Sequence, residues 1–109
     1  MKLIVAVVQD EDADNLVAEL VAAEYRVTRI CSTGSLLRTG NTSLLIGVDD
    51  YAVPRVLGII NRVCQRRTRL AVPYAPALEP GLLYLGDSFE VEVGGAVVFV
   101  ANVERFERL

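Results

Sequence analysis

Leu3-Ile4-Val5-Ala6-Val7-Val8 is apolar at every position. A run this short, rich in branched residues and ended by Gln9-Asp10-Glu11-Asp12, reads as a strand over residues 2–8. Successive strand residues point to opposite faces, so a strand with water on one side alternates apolar and polar. This run does not alternate, and neither does Val97-Val98-Phe99-Val100-Ala101 near the other end. Both faces of the sheet that holds them must therefore be buried.

The elements between follow from periodicity. After the acidic run, Leu16, Leu20 and Ala23 recur at helical spacing with Val17 and Val21 beside them. This predicts a helix over 12–23, capped by Asp10 or Asp12, whose charges suit its positive end. A second strand is expected over 25–32, then a glycine-bounded loop, then a third strand over 42–48 centred on Leu44, Leu45 and Ile46. Asp49 and Asp50 are expected to cap a second helix over 51–64, with Val53, Val56, Leu57, Ile60, Val63 and Cys64 on one stripe and Pro54 tolerated in its first turn. Residues 65–87, broken by Pro73, Pro76, Pro80 and Gly81, read as a long loop. Residues 88–93 and 96–101 read as a closing hairpin around Gly94-Gly95, and 103–109 as a short turn of helix. The order is that of the α+β ferredoxin-like βαββαβ plan, as one domain over residues 1–109. Two helices cover only one face of such a sheet. The other face then calls for a partner surface, most simply another copy of the chain.

Bulk properties narrow the function. The chain has 109 residues, enough for one domain with a core of its own. No stretch approaches the ~18 apolar residues of a membrane span. The start lacks the pattern of a secretory signal, so cytoplasm is the expected compartment. A net charge of −3 argues against general binding to DNA or RNA. Cys31 and Cys64 stand far apart and are expected to be free and buried. With no histidine and no paired cysteines, neither structural zinc nor another metal is expected, nor a cofactor.

Catalysis is hard to assemble from these residues. The commonest general base is missing, and Ser32, Thr33 and Ser35 have no visible activating partner. Glu90 and Glu92 share one face of a strand and read as a solvated edge. The acidic run 9–14 lacks calcium-loop spacing and reads as a solvated helix start. No enzyme is expected. The loop is more informative. It joins Ser32, Thr33, Ser35 and Thr39 to Gly34, Gly40 and Arg38, and just upstream Arg26 and Thr28 stand two apart, hence on one strand face. A guanidinium, hydroxyls and free amides are what a phosphate group needs. An ordinary polar hairpin with a solvated arginine fits the same residues. A second basic group, Arg62, Arg66, Arg67 and Arg69, suits the negative end of the second helix or the edge of an anionic site.

At these residues the sequence resembles the PII-like cyclic di-AMP receptor family. The likeness runs from Met1-Lys2-Leu3-Ile4-Val5-Ala6-Val7-Val8-Gln9-Asp10 to Val91-Glu92-Val93-Gly94-Gly95-Ala96-Val97-Val98-Phe99-Val100. Its most specific parts are Arg26-x-Thr28, Ser32-Thr33-Gly34 and Leu37-Arg38-Thr39-Gly40-Asn41-Thr42. The resemblance implies a homotrimeric, non-enzymatic signalling protein with cyclic di-AMP in clefts between subunits. It implies that Arg26 and Thr28 hold phosphate, that Gly34, Ser35, Leu36 and Leu37 with Asn41 and Gly47 contact adenine and backbone, and that Phe99 joins the pocket from its own strand. Residues 33–42 and 65–87 would be the mobile signalling loops, acting on a downstream protein the sequence does not name. The chain departs from the family's usual Gly-Gly-Phe-Leu-Arg with Gly34-Ser35-Leu36-Leu37-Arg38, and has Glu24 where asparagine is usual. Leu36 lacks the aromatic face on which a base stacks. Another adenine nucleotide, or none, is therefore the alternative within the same fold.

Overall fold

The computed structural model describes residues 1–32, 40–71 and 89–109. Strand β1 spans Lys2–Gln9, helix α1 Asp10–Ala22, β2 Val27–Ser32 and β3 Asn41–Val48. One 3-10 turn, Asp50–Ala52, leads into α2, Val53–Val63. Then come β4, Arg67–Ala71, β5, Phe89–Val93, and β6, Ala96–Asn102. The main sheet has the order β2-β3-β1-β6 with every pair antiparallel, and β4 and β5 form a second, two-stranded sheet. The main sheet with its two helices is the ferredoxin-like βαββαβ arrangement.

Register fixes which residues share a face. Ile4, Ala6 and Val8 of β1 point with Leu44, Ile46 and Val48 toward Ala13, Leu16 and Leu20 of α1, Val56 and Ile60 of α2, and Cys64 just after it. These helix positions recur every three or four residues, which is why each helix buries one stripe. Burying a side chain such as Leu16 or Ile60 contributes about 1.5–3 kcal/mol. The opposite face carries Leu3, Val5 and Val7, with Leu45 and Gly47 on one side of β1 and Val97, Phe99 and Ala101 on the other. Within one chain this second apolar face is only partly covered: Phe99 is 55% exposed and Ile30 45%.

Several expectations need correction. Residues 88–93 do not pair with 96–101. β5 pairs with β4, Leu70 opposite Glu90 and Thr68 opposite Glu92, while β6 pairs with β1. The half-polar strand joins the half-polar strand, and the wholly apolar one joins its like. Gly94 and Gly95, at φ 89° and 90°, turn the chain from one sheet into the other. Residues 65–87 are not one loop, since Arg67–Ala71 is β4. The tail after β6 forms no helix; the Val103 N–H donates to the Met1 carbonyl at 3.1 Å and the rest is irregular.

The helix starts also differ. Gln9 holds the N-cap position of α1, and no side chain caps it. Asp49 stands before the 3-10 turn, likewise without a side-chain cap. Pro54 does sit in the first turn of α2. Asp10 instead accepts the Thr42 hydroxyl at 2.6 Å, and its N–H donates to the Gly40 carbonyl at 3.0 Å. The acidic run is a solvated start only in part: Asp10, Glu11 and Asp14 are exposed, but Asp12 is buried and paired with Arg67. Cys64 is free and buried as expected.

Candidate functional site

The end of α1 sets up the site. Glu24 N–H donates to the Val21 carbonyl at 2.9 Å and Tyr25 N–H to that of Leu20 at 3.0 Å. This is a Schellman ending, with Glu24 in the left-handed region at φ 69°. Glycine or asparagine fits that position best, so the asparagine usual in the resembled family has a backbone reason to be there. Tyr25 turns inward against the core, with the Arg55 guanidinium 5.9 Å from its ring centre. The chain is then aimed into β2, and Arg26 is presented just before the strand.

Thr28 lies opposite Leu45, and Leu45 opposite Val5. Leu3 lies opposite Gly47 in the same face. Continuing the β2–β3 register puts Arg26 beside Gly47. An open cleft of about 920 Å³ is lined here by Arg26, Thr28, Gly47, Leu3 and Leu45, with Glu24, Asp49, Tyr51, Phe106 and Arg108 among its other walls. Arg26 is exposed, and no carboxylate among the described residues pairs with it. A Cβ added at Gly47 would meet nothing within 4 Å. A strand-interior glycine that the chain's own packing does not require marks close approach by something else. A free guanidinium, a hydroxyl and an open floor can take a phosphate oxygen. The carboxylates of Glu24 and Asp49 oppose the charges of Arg26 and Arg108 in the same cleft.

Of the nine residues expected at the site, the structure brings Arg26, Thr28 and Gly47 together in one cleft. Asn41 is buried at the far end of β3, opposite Gln9 and Ser32, about 20 Å from Gly47 at the usual rise per strand residue. Phe99 lies on the same sheet face in register with Val5 and Leu45, about 10 Å from Leu45 at two strand spacings. Neither lines the cleft within one chain. Gly34, Ser35, Leu36 and Leu37, with most of the proposed first loop, lie outside the described residues. Tyr51, Phe106 and Arg108 were not anticipated. Their signal was there: Tyr51 is an aromatic off the apolar stripe of α2, and Phe106 is a lone aromatic in the charged tail Glu104-Arg105-Phe106-Glu107-Arg108.

The second basic group has another use. Arg67 pairs with Asp12 at 2.8 Å, Arg69 with Glu11 at 2.7 Å and Arg62 with Glu19 at 3.1 Å. Only Arg62 is in the last turn of α2. These arginines fasten β4 and α2 to α1 rather than edge the anionic cleft. Glu90 and Glu92 are exposed on β5, and the described residues hold no cluster suited to a metal ion. Burial, helped by the nearby Asp12 charge, pushes the Cys64 thiol up to about 11, which makes it a poor nucleophile at neutral pH. No helix among the described residues is long and apolar enough to cross a membrane.

Comparison with known proteins adds to this geometry. A family model described as cyclic-di-AMP receptor matches residues 1–109. The crystal structure of a functionally unknown protein from Pediococcus pentosaceus ATCC 25745 is 36% identical, with 99% of this chain and 96% of that chain covered and a TM-score of 0.79. A DUF3240 family protein from Shewanella baltica os155 is 15% identical, with 99% and 94% covered and a TM-score of 0.57. At that identity the second likeness concerns the fold alone.

Proposed function

The chain belongs to the cyclic-di-AMP receptor family, and from that premise we propose that it is a non-enzymatic cytoplasmic receptor that binds cyclic di-AMP between the subunits of a homotrimer. The observation that carries the reading is the cleft in which Arg26, unpaired among the described residues, and Thr28 stand with the bare backbone of Gly47. Arg26 and Thr28 hold a phosphate of the ligand. The loop residues Gly34, Ser35, Leu36 and Leu37, with Asn41, approach the adenine and the backbone.

The second apolar sheet face supports assembly. β2 and β6 are the two edges of the main sheet, and Phe99 stands exposed at the β6 edge. A neighbouring copy laid over this face buries Phe99 and brings it toward the Arg26 end of the next subunit, so the pocket is completed by two chains. Binding then orders the segment between β2 and β3 and that between β4 and β5, and this changes the surface offered to a downstream protein.

A second reading keeps the trimer and changes the ligand to another adenine nucleotide, or to none. The Glu24 and Asp49 carboxylates in the cleft favour it, because they oppose a phosphodiester. Calorimetric titration with cyclic di-AMP, cyclic di-GMP and ATP separates the two. Selective heat with cyclic di-AMP that is lost in Arg26→Ala supports the receptor. Silence with cyclic di-AMP rejects it. Light scattering tests the assembly, and a monomer at micromolar concentration would overturn the trimer.

A further inference from the structure

We infer that Tyr51 and Phe106 form the base-stacking wall of the Arg26 cleft; this rests on the receptor reading above. A nucleotide presents two unlike surfaces, an anionic phosphate and a flat apolar base. The phosphate end of the cleft is accounted for by Arg26 and Thr28. The base needs a ring or a broad apolar wall within the same concavity. Three aromatic residues line it: Tyr25, Tyr51 and Phe106. Tyr25 is committed elsewhere, since it packs on the core and carries the Arg55 guanidinium.

Tyr51 and Phe106 have no such task. Tyr51 is 85% exposed and Phe106 65%, and neither belongs to the core cluster. A single exposed aromatic is ordinary. Two of them, from elements distant in sequence, meeting in the cleft that holds an arginine unpaired among the described residues, call for a ligand. Tyr51 comes from the 3-10 turn before α2, where it falls off the buried stripe of Val56, Ile60 and Cys64. Phe106 comes from the tail, three residues beyond the Val103 N–H that anchors the chain to the Met1 carbonyl. The two rings thus reach the cleft from separate supports, and the fold of the single chain needs neither.

The test is calorimetric titration of cyclic di-AMP into the unmodified protein and into Tyr51→Ala, Phe106→Ala, Phe106→Leu and Arg26→Ala. Each alanine variant at 51 and 106 is expected to melt like the unmodified protein and to bind about 5- to 150-fold more weakly. Phe106→Leu is expected to fall between. If Arg26→Ala loses binding while both aromatic variants keep full affinity, the stacking wall is overturned and the receptor reading stands. If the unmodified protein itself gives no heat, the receptor reading falls and the stacking wall falls with it.

Discussion

Arg67 on β4 donates from Nη2 to Oδ1 of Asp12 on the first turn of α1, at 2.8 Å. The carboxylate is buried and the guanidinium is half-exposed. Its other nitrogen donates to the Gln65 carbonyl at 3.0 Å. Beside this pair the Gly94 N–H donates to Gln9 Oε1 at 2.5 Å. The base of the β4–β5 hairpin is therefore joined to the body by polar contacts around one buried charge. The Oδ2 of Asp12 has no hydrogen-bond partner among the described residues, so Arg67 is the main compensation for that charge.

Removing the cation should be costly. Arg67→Met is expected to lower stability by about 2–3 kcal/mol, the low end for a buried pair because the arginine is half in water. Adding Asp12→Asn to that variant should recover part of the loss, since no charge then stays buried. Urea denaturation of the single and double variants, at one protein concentration, checks both statements.

Glu24 occupies a left-handed position at the end of α1. Glu24→Gly is expected to raise stability by about 0.5–1 kcal/mol. Glu24→Ala keeps the Cβ and should bring no such gain. The same denaturation series compares them, and equal midpoints for Gly and Ala would remove the backbone explanation.

Two glycines should respond in opposite ways. At Gly94, φ is 89° and an added Cβ would run into the Gln65 carbonyl, so Gly94→Ala is expected to cost about 3 kcal/mol or more. At Gly47 nothing stands within 4 Å, so Gly47→Ala should leave the fold as stable or slightly more so. In the proposed receptor the same Gly47→Ala weakens cyclic di-AMP binding, because the open floor is filled. Melting and titration of the two variants give the comparison.

Cys64 makes stability depend on alkaline pH. Its thiol is held up to about 11 by burial and by Asp12, against an ordinary value of 9.0. Below pH 9 it is protonated in both folded and unfolded chains. Above pH 9 the unfolded chain releases that proton while the folded chain retains it, so stability falls as pH rises toward 11. The loss amounts to at most about 2–3 kcal/mol. Cys64→Ala should flatten this part of the pH profile. The native thiol should also stay unreactive toward a thiol reagent at pH 8 and react once the protein is unfolded.

The order of strands and helices was legible because apolar periodicity marks β1, β3, α1 and α2 directly. The all-apolar runs 3–8 and 97–101 also pointed correctly to one sheet that is apolar on both sides. The partner of β5 was not legible. Gly94-Gly95 carries the same turn signal whether it closes a hairpin or swings the chain into another sheet, and the true partner, Arg67-Thr68-Arg69-Leu70-Ala71, looks like a solvated polar segment. The two-residue spacing of Arg26 and Thr28 placed them on one strand face, and they do line one cleft; their phosphate role came from the family resemblance, because a solvated arginine fits the same spacing. Tyr51 and Phe106 each stand out singly as aromatics off the buried pattern, but their meeting in one cleft was not legible, since no spacing relates a 3-10 turn to a tail more than fifty residues away. Asn41 and Phe99 lie apart from the cleft within one chain.

The first turn of α1 has a mechanical consequence. Asp10 grips Gly40 and Thr42, where the chain re-enters β3, while Glu11 and Asp12 grip Arg69 and Arg67 at the foot of β4. Three successive carboxylates thus serve as a common abutment for two segments that lie far apart in sequence. A helical turn is stiff, so neither foot can slide on its own. It must tilt the abutment, and with it the other foot, or break a charge-assisted contact.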